Sequence, residues 1–422
     1  MRNLGRLGLA GAVLLALGVF YHGNGVEAAG GPRDVVVNAY NVLPPIESGN
    51  LLLFPVVAAG SQTPGATPFL TLDEGIKSGE VEVTEAGRVR GLVRPRGSVG
   101  VPPYQNDRLR DDRYRNDAIP QQPDVYHGDQ VNTLVLVNHS DKPLLLLAGE
   151  IVTGGKQDRV IAKDRIVPAG GDPINLGVFC IEPGRWTASS ETFGAAGTGV
   201  SHSFMVQPTV RQKAMVAKDQ QQVWDSVRGS IAQLDVAAAP AASMPRSVGS
   251  YGYDSGTTSY AQTMQNSAVS EKVDEAAAPV MKARDQVLKQ LREEHAVGVV
   301  VAVRGEIVWA DLFAGSDLLA RYWTKLVRSY AAESLTSGET HQAPTVADAQ
   351  RFLNAPSGGT ETSEGDVGVY RYRELRSGGT ETFVLESLLP GTGYDVHISK
   401  LKLRDAEAHI QRPWTPHPQI YR

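Results

Sequence analysis

Apolar and polar residues fall into two periods along this chain. Alternation or short apolar runs mark strands over residues 34–40, 51–57, 81–85, 131–137, 144–148, 157–167 and 174–181. The turns between them have turn chemistry. Asn138 to Lys142 is polar, and Pro168-Ala169-Gly170-Gly171-Asp172-Pro173 turns the chain sharply. One short helix stands among these strands, with Thr71 as its N-cap, Glu74 three residues on, and Gly79 as its stop. Helical spacing then runs over 207–234, 273–294 and 318–335. Between the last two, residues 297–303 and 307–313 form a strand hairpin turned at Arg304-Gly305-Glu306.

Closely spaced strands with short turns favour antiparallel pairing over a doubly wound sheet. The expected fold is therefore α+β. An antiparallel β-rich core, a sandwich or barrel, carries a helical segment and a C-terminal strand-hairpin-helix unit. The core takes residues 29–203 and the helical and hairpin part takes 204–335. A tail with short strands near 370–373 and 382–386 fills 336–403, and residues 404–422 form a flexible end. Two stretches break the pattern. Residues 100–128 are charged and Pro- and Asn-bearing, which reads as a disordered insertion. Residues 235–272 are rich in Ala, Ser, Gly and Tyr, which reads as a low-complexity linker. The segment Ser357-Gly358-Gly359-Thr360-Glu361-Thr362 recurs at 377–382, too short a copy to make a repeat architecture.

The N-terminus changes the compartment. Arg2 and Arg6 precede an apolar run from Leu7 to Phe20, and Val26-Glu27-Ala28 offers small residues for cleavage. This is the form of a signal peptide over 1–28, so the expected location is periplasmic or extracellular. No later segment is apolar enough for a membrane span. The formal net charge of −5 becomes one unit more negative after cleavage, which argues against nucleic acid as a partner. The single cysteine, Cys180, rules out a disulfide within the chain. The histidines do not fall at metal-ligand spacing, and no cofactor fingerprint is present, so neither metal nor cofactor is expected.

Candidate chemistry concentrates in two stretches. The first is Gly149-Glu150-Ile151-Val152-Thr153-Gly154-Gly155-Lys156-Gln157-Asp158-Arg159. It is not a P-loop: the spacing is one residue too long, Gln157 replaces the Ser or Thr, and a strand follows. What remains is a glycine pair beside Lys156, Gln157 and Arg159, groups able to converge on an anion. The second stretch is Cys180-Ile181-Glu182-Pro183-Gly184-Arg185-Trp186. Here Arg185 and Trp186 could wall a pocket, while Cys180 reads as a buried small hydrophobe.

At these stretches the chain resembles the ARPP family, the ARG- and rhodanese-phosphatase-superfamily-associated protein domain. The shared pattern is Gly149-Glu150, Gly154, Lys156, Gln157 and Arg159, then Cys180, Glu182, Gly184, Arg185 and Trp186. Further echoes are Gln222-Val223-Trp224, the hairpin 298–313 and Trp323-Thr324-Lys325-Leu326. The resemblance implies a common fold over about residues 35–335, with an extension toward 403. It implies no reaction, because the family name records an association with other proteins. Where many members carry a second Glu after Glu150, this chain has Ile151.

Three functions follow as expectations. The first is binding of an anionic small molecule or saccharide-like ligand by Lys156, Gln157 and Arg159, with Arg185 and Trp186 at the wall. The second is a hydrolase with Glu150 or Glu182 as general base and Lys156 or Arg159 stabilising developing negative charge. The third is an envelope scaffold or interaction protein.

Overall fold

The residues from Leu51 to Ala58 form a strand almost wholly buried on both faces, and the largest sheet is built around it. The computed structural model describes residues 40–58, 68–85, 133–185, 189–197, 203–239, 256–282 and 296–403. The expected signal peptide, the strand start at 34–39, the insertion 100–128 and the end 404–422 lie outside the described residues.

The chain enters through β1 (Tyr40–Val42), β2 (Ile46–Ser48) and β3 (Leu51–Ala58). After β4 (Leu70–Thr71) comes α1 (Leu72–Ser78), capped as its sequence predicts. Thr71 N donates to Glu74 Oε2 at 2.9 Å, and Glu74 N donates back to Thr71 Oγ1. Gly79, at φ 75°, ends the helix in the left-handed region. β5 (Val81–Glu85) follows.

The next strands are β6 (Thr133–Asn138), β7 (Leu144–Leu146), β8 (Ile151–Gly154), β9 (Arg159–Ile161), β10 (Arg165–Val167), β11 (Ile174–Cys180) and β12 (Phe193–Ala195). Five of them join β5 in a six-stranded sheet, in the order β12-β8-β9-β11-β6-β5. A bridge between Thr84 and Thr192 brings the two ends together, so this sheet nearly closes into a barrel. Val83, Leu134, Leu136, Val152, Ile161, Leu176, Val178 and Phe193 share its apolar core. Strands β10, β7 and β4 form a small second sheet.

The helical region departs from expectation at two places. The helix expected over 207–234 is broken into α2 (Pro208–Gln212), a π-turn at Lys213–Ala217, and α3 (Gln220–Ala238). Lys218 sits at φ 51° at the break, and Asp219 caps α3 through Gln222 N. The stretch 235–272, expected as a linker, is mostly helical where it is described. It supplies the end of α3, then α4 (Tyr260–Gln265) and the start of α5 (Ser267–Lys282). Ser259 caps α4 by accepting Gln262 N at 3.1 Å. Val269, Val273, Ala277 and Val280 then form a buried stripe at helical spacing. Alanine, which made the stretch look simple, is itself the strongest helix former.

β13 (Ala296–Val303) and β14 (Glu306–Phe313) form the expected hairpin. Arg304 and Gly305 both take positive φ there, as a tight two-residue turn requires. α6 (Ser316–Ser334) and α7 (Val346–Asn354) follow. The tail holds four full strands, not two short ones: β15 (Thr360–Asp366), β16 (Tyr370–Ser377), β17 (Thr380–Ser387) and β18 (Asp395–Lys402). The second Ser-Gly-Gly-Thr copy is the turn between β16 and β17, where Ser377 faces Thr380. The first copy leads into β15.

These strands complete a nine-stranded sheet in the order β1-β3-β13-β14-β18-β17-β16-β15, with β2 also on β3. Helices α2 to α6 share one apolar core with this sheet, including Trp309, Trp323, Tyr322 and Tyr330. At the β1 edge, Gln350 of α7 accepts Val42 N at 2.9 Å and donates to Tyr40 O at 3.1 Å. The molecule is thus α+β, with antiparallel sheets and a nearly closed barrel.

Candidate functional site

The turn from β8 to β9 is the glycine pair seen in the sequence. Gly154 lies at φ 134° and Gly155 at φ 50°. A Cβ on Gly155 would stand 2.3 Å from Phe193 Cζ, so only glycine fits. The residues after the turn point inward. Gln157, Asp158 and Arg159 are all buried, while Lys156 is half-buried.

Each of these groups meets a partner from the same fold. Lys156 N donates to Glu85 Oε1 at 3.1 Å. Arg159 donates to Gln157 O at 2.6 Å and lies 3.8 Å from Glu85. Gln157 donates to Glu182 O, and its Oε1 accepts the Cys180 thiol at 2.7 Å. Asp158 N donates to Glu182 Oε2 at 3.0 Å, and Ser259 Oγ donates to Asp158 Oδ2 at 2.7 Å. Burial raises the Asp158 carboxyl above its ordinary range, and Glu182 adds to this.

Arg185 closes the network. Its Nε donates to Glu182 Oε1 at 2.7 Å, and one terminal nitrogen sits 2.6 Å from Glu182 Oε2. The other donates to Gly155 O at 2.9 Å. The hydrogen bond to Glu182, with its charge and that of Asp158, raises the guanidinium further. This is a bidentate pair holding the 183–185 turn against the glycine turn. Cys180 is buried, and burial pushes its thiol up to about 12. It is the buried thiol its sequence suggests, with no activation.

Of the sequence candidates, the structure therefore brings together Lys156, Gln157, Arg159, Glu182 and Arg185. Trp186 lies outside the described residues. Glu150 has other partners. Its side chain is fully buried, with Oε2 accepting Leu147 N at 2.7 Å and Oε1 lying 2.5 Å from Lys325 Nζ. Lys325 also reaches Asp73 at 2.8 Å, and Ser203 Oγ donates to Asp73 at 2.5 Å. Burial raises the Glu150 carboxyl, against the pull of Lys325. Burial opposes the Lys325 charge too, but Glu150 and Asp73 outweigh it and raise the ammonium. The cation beside Glu150 is thus Lys325, from the Trp323-Thr324-Lys325-Leu326 echo, where the sequence suggested Lys156 or Arg159. No sequence spacing links residues so far apart.

A second buried cluster has no motif at all. His397 Nδ1 lies 2.6 Å from Asp164 Oδ2, and its Nε2 is 3.2 Å from Asp311 Oδ1. The second contact is an ion pair off the hydrogen-bond line. Arg211 donates to Asp311 at 2.8 Å, as do Tyr330 and, at 2.7 Å, Ser399. Burial opposes the imidazolium, yet Asp164 and Asp311 raise His397 to about 9. Burial likewise opposes the Asp311 charge, but Arg211 and His397 hold it well below the carboxylate range. Ala148 N donates to Asp164 at 2.7 Å, one residue after Leu147 N donates to Glu150. The Gly149-Glu150 turn therefore ties the barrel to both buried clusters. Among the described residues, no group of three or more His, Cys, Asp or Glu is placed to hold a metal ion.

The fold and site define an α+β protein in which a glycine turn and a Cys-x-Glu-x-Gly-Arg strand end close on each other beside a nearly closed barrel. The family model for the ARG and Rhodanese-Phosphatase-superfamily-associated Protein domain, ARPP-1, matches residues 39–401, so the chain belongs to that family. No curated protein and no solved structure matches the chain.

Proposed function

We propose that this is an exported, non-catalytic binding protein, which works by engaging partners at its surface. One observation carries this reading. Most charged groups of the family motifs are paired inside the fold: Arg159 with Glu85, Arg185 with Glu182 and Asp158, and Lys325 with Glu150 and Asp73. A general base must reach a substrate proton directly or through one water. Glu150 is enclosed, and Glu182 is held in a bidentate pair. An anion at this cluster would meet cations already neutralised by carboxylates. The motifs then serve to lock two turns and two sheets together. The signal-like N-terminus supports a location outside the cytoplasm.

A second reading keeps a small-anion site at the rim of the turn. It is favoured by Lys156 and Arg185, the two motif cations with partial exposure. One experiment separates the two: a thermal-shift screen of the whole protein against anionic metabolites, sugars and nucleotides, with turnover assayed on any hit. Ligand at a hundred times its Kd adds about 2.7 kcal/mol, so even modest affinity is visible. The binding-protein reading expects no anion-dependent shift and no turnover. A saturable shift abolished in Lys156→Ala would establish the anion site instead, and turnover lost in Glu150→Gln would restore the hydrolase.

A further inference from the structure

The barrel carries a hollow on its outer wall that neither the motifs nor the buried clusters use. Its volume is about 420 Å³, within the size range of small-ligand sites. Strand alternation builds it. On β5, Val83 points into the barrel core, so Glu82 and Thr84 point outward. Val137 of β6 lies opposite Glu82 and joins them, with His139 just beyond. Pro173 and Glu191 close the other sides.

Three features of this hollow are chemical. Two carboxylates, Glu82 and Glu191, stand on separate elements, and both residues are exposed. Val137 and Pro173 supply the apolar part of its lining. Beneath lies Thr84, only 5% exposed, whose Oγ1 has no hydrogen-bond partner. An unsatisfied buried hydroxyl costs stability, and valine would fill the same space without that cost. A hydroxyl kept at the floor of a hollow, on the same strand face as a carboxylate, is an acceptor waiting for a donor.

We propose that this hollow binds an organic cation: an ammonium or guanidinium group on a short aliphatic stem. Glu82 and Glu191 supply the charge, Thr84 Oγ1 accepts one N–H, and Val137 with Pro173 covers the stem. His139 Nε2 lies 3.9 Å from Glu82 Oε2, a loose contact that an entering cation displaces. A bare metal ion is the poorer match, because among the described residues no set of three His, Cys, Asp or Glu converges to ligate one. The site gives the binding reading above a place on the surface. It rests on that reading for its use, and on its own residues for its chemistry.

The test is calorimetric titration of the full chain with n-butylammonium and with a lysine-containing peptide, using n-butanol as the uncharged control. Saturable binding of the amine, none of butanol, and a loss of at least about tenfold in Glu82→Gln are expected. Thr84→Val is the sharper variant, because it should weaken the amine while leaving Tm unchanged or raised. Tighter binding of the peptide than of butylammonium identifies a partner's side chain as the natural ligand, and the reverse identifies a free amine. No saturation by tens of millimolar amine, the range of the weakest specific binding, overturns the site. So does equal binding by both variants and the parent, which marks a merely acidic surface. Lys156→Ala leaves this titration unchanged, so the hollow and the glycine-turn rim fail separately.

Discussion

Lys325 Nζ meets Glu150 Oε1 at 2.5 Å, although 175 residues of chain separate them. The pair joins the barrel to α6 with both side chains at or below 5% exposure. Removing Lys325 leaves the fully buried Glu150 carboxylate without its cation. Lys325→Met should therefore destabilise the protein by about 3–5 kcal/mol in urea unfolding. Adding Glu150→Gln to that variant should recover much of the loss, because the orphaned charge disappears. Additive losses in the double variant would mean that the pair acts through something other than its charges.

His397 gives the stability a defined pH dependence. Its folded pKa, raised to about 9, exceeds the ordinary histidine value of 6.5. A group raised on folding stabilises fully below its unfolded pKa and loses that contribution as pH climbs through the folded one. The urea midpoint of the parent should exceed that of His397→Gln by most at about pH 6, and the gap should narrow steadily toward about pH 9.5. A gap independent of pH would show that folding leaves the imidazole pKa where it was, and a gap that widens with pH would show an imidazole held neutral between its two aspartates.

The glycine turn can be tested against another glycine of the same backbone conformation. Gly49 lies at φ 56° with open space where a Cβ would stand. Gly49→Ala should cost about 1 kcal/mol, from the backbone alone. Gly155→Ala adds a collision with the Phe193 ring and with Glu85, and should cost about 2–4 kcal/mol in thermal unfolding. Equal effects would mean that the turn yields easily.

Cys180 should resist modification in the folded protein. Its thiol is buried and pushed up to about 12, so almost no thiolate exists near neutral pH. Ellman's reagent at about pH 8 should give no signal until urea unfolds the chain, then a single equivalent. Fast labelling of the native protein would expose an opening motion at the 180–185 turn.

Much of this architecture was legible in local sequence. The capping of α1 by Thr71 and Glu74, the Arg304-Gly305 turn and the strands β5, β6, β7 and β11 each follow from short-range pattern, whereas β8 falls inside the glycine-bearing motif and the strand expected over 157–167 is split into β9 and β10. The two motifs also marked a real meeting point, since Lys156, Gln157, Arg159, Glu182 and Arg185 do assemble. Their roles were less legible, because the sequence shows cations without showing Glu85, which approaches from β5 across a long insertion. The cluster around Asp164, His397 and Asp311 had no signal, since its Asp164–His397 contact spans 233 residues and its Asp311–Ser399 contact spans 88, which leaves no spacing to read. Alanine-rich and polar stretches misled in both directions. The region after 256 folded into buried helices once Ser259 capped them, and Thr360-Glu361-Thr362-Ser363-Glu364 became a strand because β16 offered a full ladder.

The Gln350 side chain has a consequence for assembly. By occupying Val42 N and Tyr40 O it mimics the next strand at the β1 end of the nine-stranded sheet. At the opposite end, no described strand pairs with the outer edge of β15. Among the described strands, growth of this sheet by strand addition therefore has one open edge, and the other is terminated by an amide. Two copies joined through β15 would present a sealed end at each extremity, so such pairing stops at a dimer and cannot propagate into a fibre.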